Sequence, residues 1–258
     1  MHEQFISPQK YWETQQSIFQ KIYSTTMAQY VKTLPDLGNA FILKDRALRC
    51  IDERAPGGLH LAGSGILMKE EQLRKTLKEA NVTSVWTHAE CGAAKLYAQE
   101  NGLDASKSDE YARFFGENLE KTFGVKYNGH LNVSPSGLHI ARIAYYDATG
   151  TFDYQNVPGL PQGFVISRKY IETDYALVEL QVAISIACGD HGFGSLITPT
   201  SPFILVPITN NRNSALSLDV LTKELQSVAQ NNPLVMISGF TAPQIILPET
   251  SLNISQYQ

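Results

Sequence analysis

Two short segments of the sequence contain residue types that bind transition metals. The segment 50–54 reads CIDER and the segment 88–93 reads HAECGA. Two cysteine thiolates and one histidine imidazole form a ligand set that suits Zn²⁺, and three protein ligands leave a fourth position open to water or substrate. We therefore predict that Cys50, His88 and Cys91 bind one zinc ion in a site of the catalytic type. Zinc in such a site lowers the pKa of a coordinated water to about 7.

Asp52 and Arg54 lie two and four residues after the first predicted ligand, Cys50. On an extended chain all three side chains point to the same side. An arginine can hold a carboxylate through a two-pronged hydrogen bond, so we predict a catalytic pair in which Arg54 orients Asp52 as an acceptor beside the metal. Without the arginine, the carboxylate could itself take the open position. The sequence leaves open whether water or Asp52 fills that position.

Each motif follows a predicted strand, one over 47–52 and the other over 82–87. The stretch between Cys50 and His88 is long enough for a strand-strand-helix-strand path, so both motifs can reach the same edge of a parallel sheet. In open α/β sheets, ligands bind at the edge formed by the carboxyl ends of the strands.

Short apolar runs alternate with helical patterns along most of the chain. Strands are predicted over 47–52, 59–62, 82–87, 139–146, 164–170, 203–208 and 234–240. Helices are predicted over 8–33, 69–80, 91–99, 109–123, 174–187 and 217–230. This alternation indicates an α/β fold with a mainly parallel β-sheet flanked by helices.

A segment rich in glycine and proline, 151–163, suggests a boundary within the chain. We predict an N-terminal helical arm over 1–40, a zinc-binding core over 41–155 and a C-terminal βαβαβ extension over 156–258. The extension is either a diverged repeat of the core or an unrelated unit, because all βα units share a similar plan. The arm either embraces a partner subunit or packs on its own chain.

Bulk composition excludes several classes of function. The 258 residues carry a formal net charge of -4 without a basic cluster, so we expect no nucleic-acid partner. The longest apolar stretch, 183–188, is far too short to cross a bilayer, so we expect no membrane partner. Three cysteines give no disulfide framework, and the N-terminal residues contain no secretory pattern. These features favour metal binding in the reducing cytoplasm.

Together, Cys-x-Asp-x-Arg and His-x-x-Cys-Gly resemble the signature of the β-class carbonic anhydrases. The segment 143–150, which reads IAYYDATG, is similar to a late strand and turn of that family, and the resemblance covers roughly residues 40–155. It implies a β-carbonic-anhydrase-like core in which the family's zinc ligands and its aspartate–arginine pair fall on the residues already singled out. These are Cys50, His88, Cys91, Asp52 and Arg54.

The resemblance also implies a reaction. The family catalyses the reversible hydration of carbon dioxide to bicarbonate by a metal-bound hydroxide, which makes this chain a zinc lyase. The family usually works as a homodimer or a higher homo-oligomer, with substrate pockets at the subunit interface. Two alternatives stay open. The site could hydrolyse carbon disulfide or carbonyl sulfide, or the chain could be a non-catalytic relative with structural zinc or an interaction module.

Other polar residues near the motifs have less specific readings. His60 is either a proton shuttle or a structural histidine, and we read His130 and His139 as structural. We predict that Glu53 and Glu90 face solvent, because each alternates away from the predicted ligands.

A second cysteine–histidine pair stands at Cys188 and His191. Its spacing repeats that of His88 and Cys91 in reverse order, but no third ligand lies nearby in the sequence. A buried cysteine and a loop histidine are the favoured interpretation, since a lone cysteine is usually a small buried hydrophobe.

Overall fold

A computed structural model describes residues 7–55, 57–133, 138–210 and 214–243. Its α-helices are α1 (Pro8–Ser24), α2 (Met27–Val31), α3 (Glu70–Glu79), α4 (Gly92–Glu100), α5 (Ser108–Phe123), α6 (Thr173–Cys188) and α7 (Leu218–Ala229). Its strands are β1 (Ala47–Arg49), β2 (Leu59–His60), β3 (Ser84–His88), β4 (Lys126–Leu131), β5 (Ile143–Asp147), β6 (Phe164–Ile166), β7 (Phe203–Thr209), β8 (Val235–Ile237) and β9 (Phe240–Thr241). The outer ends of the predicted arm and extension, 1–6 and 244–258, lie outside the described residues.

The strands form two parallel sheets. The first has the order β2-β1-β3-β4, and the second has the order β6-β5-β7-β8, with β9 also pairing with β7. Every ladder between these strands is parallel, and helices connect most of the neighbouring strands. The predicted α/β class with parallel strands flanked by helices is therefore confirmed. The segment of β5 was predicted to belong to the core over 41–155, but β5 pairs with β6 and β7 in the second sheet.

The second sheet repeats the strand order of the first. Each half of the chain runs strand, strand, helix, strand, helix, strand, and the first half adds one further helix before its last strand. The sheets meet where β2 and β6 end. There the His60 amide donates to the Ser167 hydroxyl at 2.9 Å, and the Ser167 amide donates to the His60 carbonyl at 3.1 Å. The two halves thus contact each other through reciprocal hydrogen bonds.

The N-terminal helices pack on their own chain. The predicted helix over 8–33 breaks between α1 and α2, where the Thr26 hydroxyl accepts a hydrogen bond from the Gln29 amide and starts the second helix. Buried side chains of both helices, including Phe19 and Met27, join a core cluster with Tyr145 of the second sheet. Of the two alternatives left open for the arm, the described residues show packing on its own chain.

Side chains of β5 alternate between the two faces of the second sheet. Ile143 and Tyr145 point into the core beneath α1 and α2, whereas Ala144 and Tyr146 point into the core on the opposite face. The core on the opposite face also contains side chains from the helices and inner strands of the first half. Because both faces are covered, β5 and β7 are buried along their whole length and mostly apolar before their last residues, as expected for buried parallel strands.

The strand β4 is absent from the sequence-based expectations. It contains Asn128 and Gly129, residue types with low strand propensity, and it lies at the half-exposed edge of the first sheet. A register shift against β3 accommodates Asn128, and Gly129 adopts a φ of 123°. Bulges of this kind are frequent on edge strands. No helix among the described residues combines the length and apolarity needed to cross a membrane.

Candidate metal centre

The parallel pairing of β1 and β3 brings the two motifs together. Cys50 follows the last residue of β1, His88 is the last residue of β3, and Cys91 immediately precedes the first residue of α4. Between the last two, Glu90 adopts a left-handed φ of 57°, which turns the chain from strand to helix. Glu90 is exposed, as the sequence predicted.

Cys50, His88 and Cys91 form a buried cluster that could hold a metal ion. One donor atom of each lies within 4.8 Å of the others. The two sulfur atoms are 4.0 Å apart. A tetrahedral zinc ion with Zn–S bonds of about 2.3 Å separates two thiolates by about 3.8 Å. The spacing of the thiols therefore fits a tetrahedral metal of this size.

The orientation of His88 also fits a metal ligand. Its Nδ1 lies 2.8 Å from the Ala89 carbonyl, which fixes Nδ1 as the donor. Its Nε2 is buried and has no hydrogen-bond partner among the described residues. A buried polar atom without a partner is costly, and a metal ion at the cluster would satisfy it. A second hydrogen bond that fixes the ring and tautomer is the usual arrangement for metal-binding histidines.

The protonation of the cluster reflects its burial and close spacing. Hydrogen bonding to Cys91, together with burial, raises the pKa of Cys50 well above its usual range. Hydrogen bonding from Cys50 lowers the pKa of Cys91. Burial by itself would lower the pKa of His88, but its interactions with Cys50 and Asp52 together raise it to about 9. The metal-free cluster therefore retains protons that a metal ion would have to displace.

Asp52 and Arg54 form a buried, two-pronged ion pair beside the cluster. Arg54 donates from Nε to Asp52 Oδ1 at 2.8 Å and from Nη2 to Oδ2 at 2.6 Å, and its backbone amide also donates to Oδ1 at 2.9 Å. Burial would raise the pKa of Asp52, but the hydrogen bonds from Arg54 hold that pKa below its usual range. Oδ2 of Asp52 lies 3.9 Å from Nε2 of His88. The carboxylate is thus held charged, within reach of a ligand bound to the metal.

Glu53 was misjudged from the sequence, and His139 is its partner. Glu53 is buried, so its predicted exposure was wrong. Glu53 lies in a turn, where the alternation of an extended strand does not apply, and its carboxylate accepts from His139 Nδ1 at 2.8 Å and from the Ile140 amide at 2.8 Å. His139 is structural, as predicted, but it also contacts the ion pair, with Nε2 at 3.5 Å from Arg54 Nη2.

A second group of metal-type donors is formed by Asp52, Glu53 and His139. Their oxygen and nitrogen atoms are already engaged by one another and by Arg54. A cation placed among them would face the Arg54 guanidinium at short range, which costs free energy. This group therefore supports the aspartate–arginine pair rather than a second metal.

The remaining candidate histidines lie in different environments. His60 is buried, and its Nδ1 lies 2.7 Å from the Cys50 carbonyl. Burial lowers the pKa of His60, and the residue is only 3% exposed, which favours the structural reading. His130 packs beside the metal-site strand, with Nδ1 at 2.8 Å from the Thr87 hydroxyl.

Cys188 and His191 belong to no group of three metal donors among the described residues. Cys188 is half-buried at the end of α6, and His191 is exposed, while its carbonyl accepts a hydrogen bond from the His139 amide at 2.8 Å. The described residues therefore agree with the reading of a packed cysteine and a loop histidine.

The comparisons with known proteins match the chain to no family model, no curated protein and no solved structure. The resemblance to the β-class carbonic anhydrases consequently stays with the two motifs. The structure adds that both motifs meet at one sheet edge, with three ligand-type side chains and the aspartate–arginine pair on adjoining positions.

Proposed function

We propose that the chain is a zinc-dependent lyase that catalyses the reversible hydration of carbon dioxide to bicarbonate. One observation carries the proposal. A buried Cys50–His88–Cys91 cluster, with His88 Nε2 unpartnered among the described residues, adjoins a carboxylate that Arg54 binds through both of its oxygens. Metal binding alone requires the three ligands, and the adjoining buried ion pair adds an oriented acceptor beside them.

The composition of the cluster supports a catalytic rather than a structural site. Among the described residues the group contains three donor side chains, and a structural zinc site has four. A zinc ion held there would supply a Lewis acid and a water with a pKa near 7. The two thiols and the imidazole would hold that ion, and the Ala89 carbonyl would keep the imidazole in the required tautomer.

Asp52 has the role of an oriented acceptor. Because Arg54 engages both carboxylate oxygens, Asp52 is held as an acceptor for a hydroxyl group beside the cluster and is restrained from becoming a metal ligand itself. Fixing this acceptor in advance avoids the cost of reorganising it during the reaction.

His139 lies beside this acceptor and would carry the released proton towards the surface. His139 Nδ1 lies 3.9 Å from Asp52 Oδ2, and its side chain is 12% exposed. Carbon dioxide hydration releases one proton in each turnover, so a titratable group between the carboxylate and solvent suits this reaction.

The test is carbon dioxide hydration by purified protein whose zinc content has been measured, followed by stopped-flow pH-indicator absorbance. We expect one zinc per chain, activity in the wild type, and loss of both zinc and activity in Cys50→Ser. Cys188→Ser is the matched control, since its thiol lies outside the cluster. Zinc-loaded protein without hydration at any pH from about 6 to 9 would refute the proposal, and the same preparation offered carbon disulfide or carbonyl sulfide distinguishes the alternative substrates.

A further inference from the structure

The second half of the chain places one buried acid against the metal-site half. Glu179 lies on α6 and is 1% exposed, with no ion-pair partner among the described residues. Burial raises the pKa of Glu179 well above its usual range. An uncompensated carboxyl group in the core is costly, and such a group is usually kept for a specific contact.

The contact of Glu179 is with the turn that lies behind the thiols. Its Oε1 accepts a hydrogen bond from the Ala62 amide at 2.6 Å. Ala62 begins a short 3₁₀ turn, Ala62–Gly65, which follows β2 in the first half of the chain. Glu179 therefore ties α6 to a turn that is distant from it in the sequence.

That turn is bonded directly to a predicted metal ligand. The Gly63 amide donates to Cys50 Sγ at 3.2 Å. Gly63 has a left-handed φ of 56°, and a Cβ added there would lie 2.9 Å from the Ala93 side chain and 3.6 Å from Cys91 Sγ. The backbone of the turn thus packs closely against both sulfur atoms, and a small displacement would break the hydrogen bond to Cys50.

We propose that Glu179 is a positioning residue for the metal centre, which holds the Ala62–Gly65 turn so that the Gly63 amide hydrogen-bonds the Cys50 sulfur. This inference rests on the proposed zinc site. An amide that donates to a thiolate ligand fixes the direction of the sulfur and lowers its effective negative charge. Partners of this kind change metal affinity about 10- to 100-fold when they are removed.

The chemistry of Glu179 makes the substitutions specific. Because burial raises the pKa of Glu179 and so favours its neutral form, glutamine is close to it in shape and charge and still offers an oxygen to the Ala62 amide. Leucine fills the space but offers no acceptor. Aspartate keeps the carboxyl group but is shorter by one methylene, so it withdraws the oxygen from the amide.

The experiment measures zinc affinity by competition with a chromophoric chelator, and the thiolate-to-cobalt absorption band of Co²⁺-substituted protein. We expect Glu179→Leu to weaken zinc binding about 10- to 100-fold and to shift the cobalt band, Glu179→Asp to do so in part, and Glu179→Gln to remain within about threefold of the wild type.

A stability control separates this role from general destabilisation. Glu224 is a partly buried acid of the second half. Its carboxylate accepts hydrogen bonds from Arg168 Nε at 2.9 Å and from the Tyr146 hydroxyl at 2.7 Å. Glu224→Gln should lower the unfolding midpoint without moving zinc affinity or the cobalt band, because none of its contacts reaches the turn.

The outcomes distinguish the two proposals. Wild-type protein that binds neither zinc nor cobalt overturns the proposed metal site itself. Wild-type binding with unchanged affinity and an unchanged band in Glu179→Leu overturns only the role of Glu179. If Glu179→Leu does not fold, the Glu179→Asp and Glu179→Gln variants decide. Equal zinc affinities of these two variants and the wild type overturn the role of Glu179.

Discussion

The Asp52–Arg54 pair gives a quantitative prediction for stability. Its side chains are 3% and 9% exposed, and the two side-chain hydrogen bonds measure 2.8 and 2.6 Å. Removing one partner of a buried ion pair leaves the other charge without compensation, which costs about 3 to 5 kcal/mol. We expect Arg54→Met to lower the free energy of unfolding of the metal-free protein by this amount at pH 7.

The exposed pair of Lys223 and Asp219 provides the matched control. Its nitrogen and oxygen are 2.8 Å apart, but the two side chains are 71% and 75% exposed. Solvent screens such a pair, so Lys223→Met should have little effect on the free energy of unfolding. Urea denaturation of EDTA-treated protein, followed by tryptophan fluorescence, measures both variants under identical conditions.

The sign of the pH dependence provides a second check on this pair. In the wild type the pKa of Asp52 lies below its unfolded value of 3.8. The pair therefore stabilises the fold in full at pH values above 3.8, and this stabilisation is lost as the pH falls through the lowered pKa of the folded state. Without Arg54, burial raises the pKa of Asp52, so the variant gains stability by taking up a proton in acid. The cost of Arg54→Met should therefore shrink between pH 7 and about pH 4.

Adding Asp52→Asn to Arg54→Met should recover part of the loss, since the uncompensated charge is then gone. The reasoning is refuted if Arg54→Met costs no more than Lys223→Met, or if the double variant is as unstable as the sum of the single variants predicts.

Two further predictions concern protonation and the second half of the chain. Zinc affinity should rise with pH up to and beyond about 9, because the metal displaces protons from His88, whose pKa is about 9, and from Cys50, whose pKa is raised well above its usual range. Chelator competition from about pH 6.5 to 9.5 tests this, and a flat profile contradicts it. Asp147→Ala should cost about 3 kcal/mol in urea denaturation, because it removes the acceptor for the amides of Thr149 and Gly150, at 2.8 and 3.0 Å. Asp147→Asn should cost clearly less, and equal losses would contradict the role of that carboxylate as a loop acceptor.

The sequence predicts the parts of this site that lie within short motifs. Cys50, Asp52 and Arg54 lie in one short segment, so their proximity follows from the sequence, but Asp52 and Arg54 meet in a turn, in which the Ala55 amide donates to the Asp52 carbonyl at 2.9 Å, and not on the extended chain that was predicted. His88 and Cys91 fall at a strand end and a helix start, which apolar periodicity locates well. The proximity of the two motifs then follows from the general rule that the carboxyl ends of parallel strands lie at the same edge of the sheet.

Contacts between distant segments could not be predicted in this way. Glu53 was predicted to face solvent from strand alternation. Alternation indicates the face that a residue takes, but it does not indicate what packs on that face. The segment that carries His139 packs on Glu53. Glu179 reads as an ordinary polar position of an apolar helix until the turn at Ala62 is placed beside it. Such contacts depend on how the two halves pack, which no local pattern encodes.

The repeated strand order allows the two halves to be compared at the ends of their first strands. The last pair of the ladder between β1 and β2 is Arg49 with His60, and Cys50 follows Arg49. The last pair of the ladder between β5 and β6 is Tyr146 with Ile166, and Asp147 follows Tyr146. There the carboxylate accepts from amides of its own loop and is not available to a metal.

The contribution of the second half to the metal centre is therefore made through its contacts with the first half. Ser167 meets the end of β2, and Glu179 holds the turn behind Cys50. Because β6 occupies the edge beside β2, a second copy of the chain cannot extend the first sheet at that edge. A homo-oligomer, which remains a prediction, would have to form through another surface, and the metal centre would keep the same neighbours from its own chain in a monomer or an oligomer.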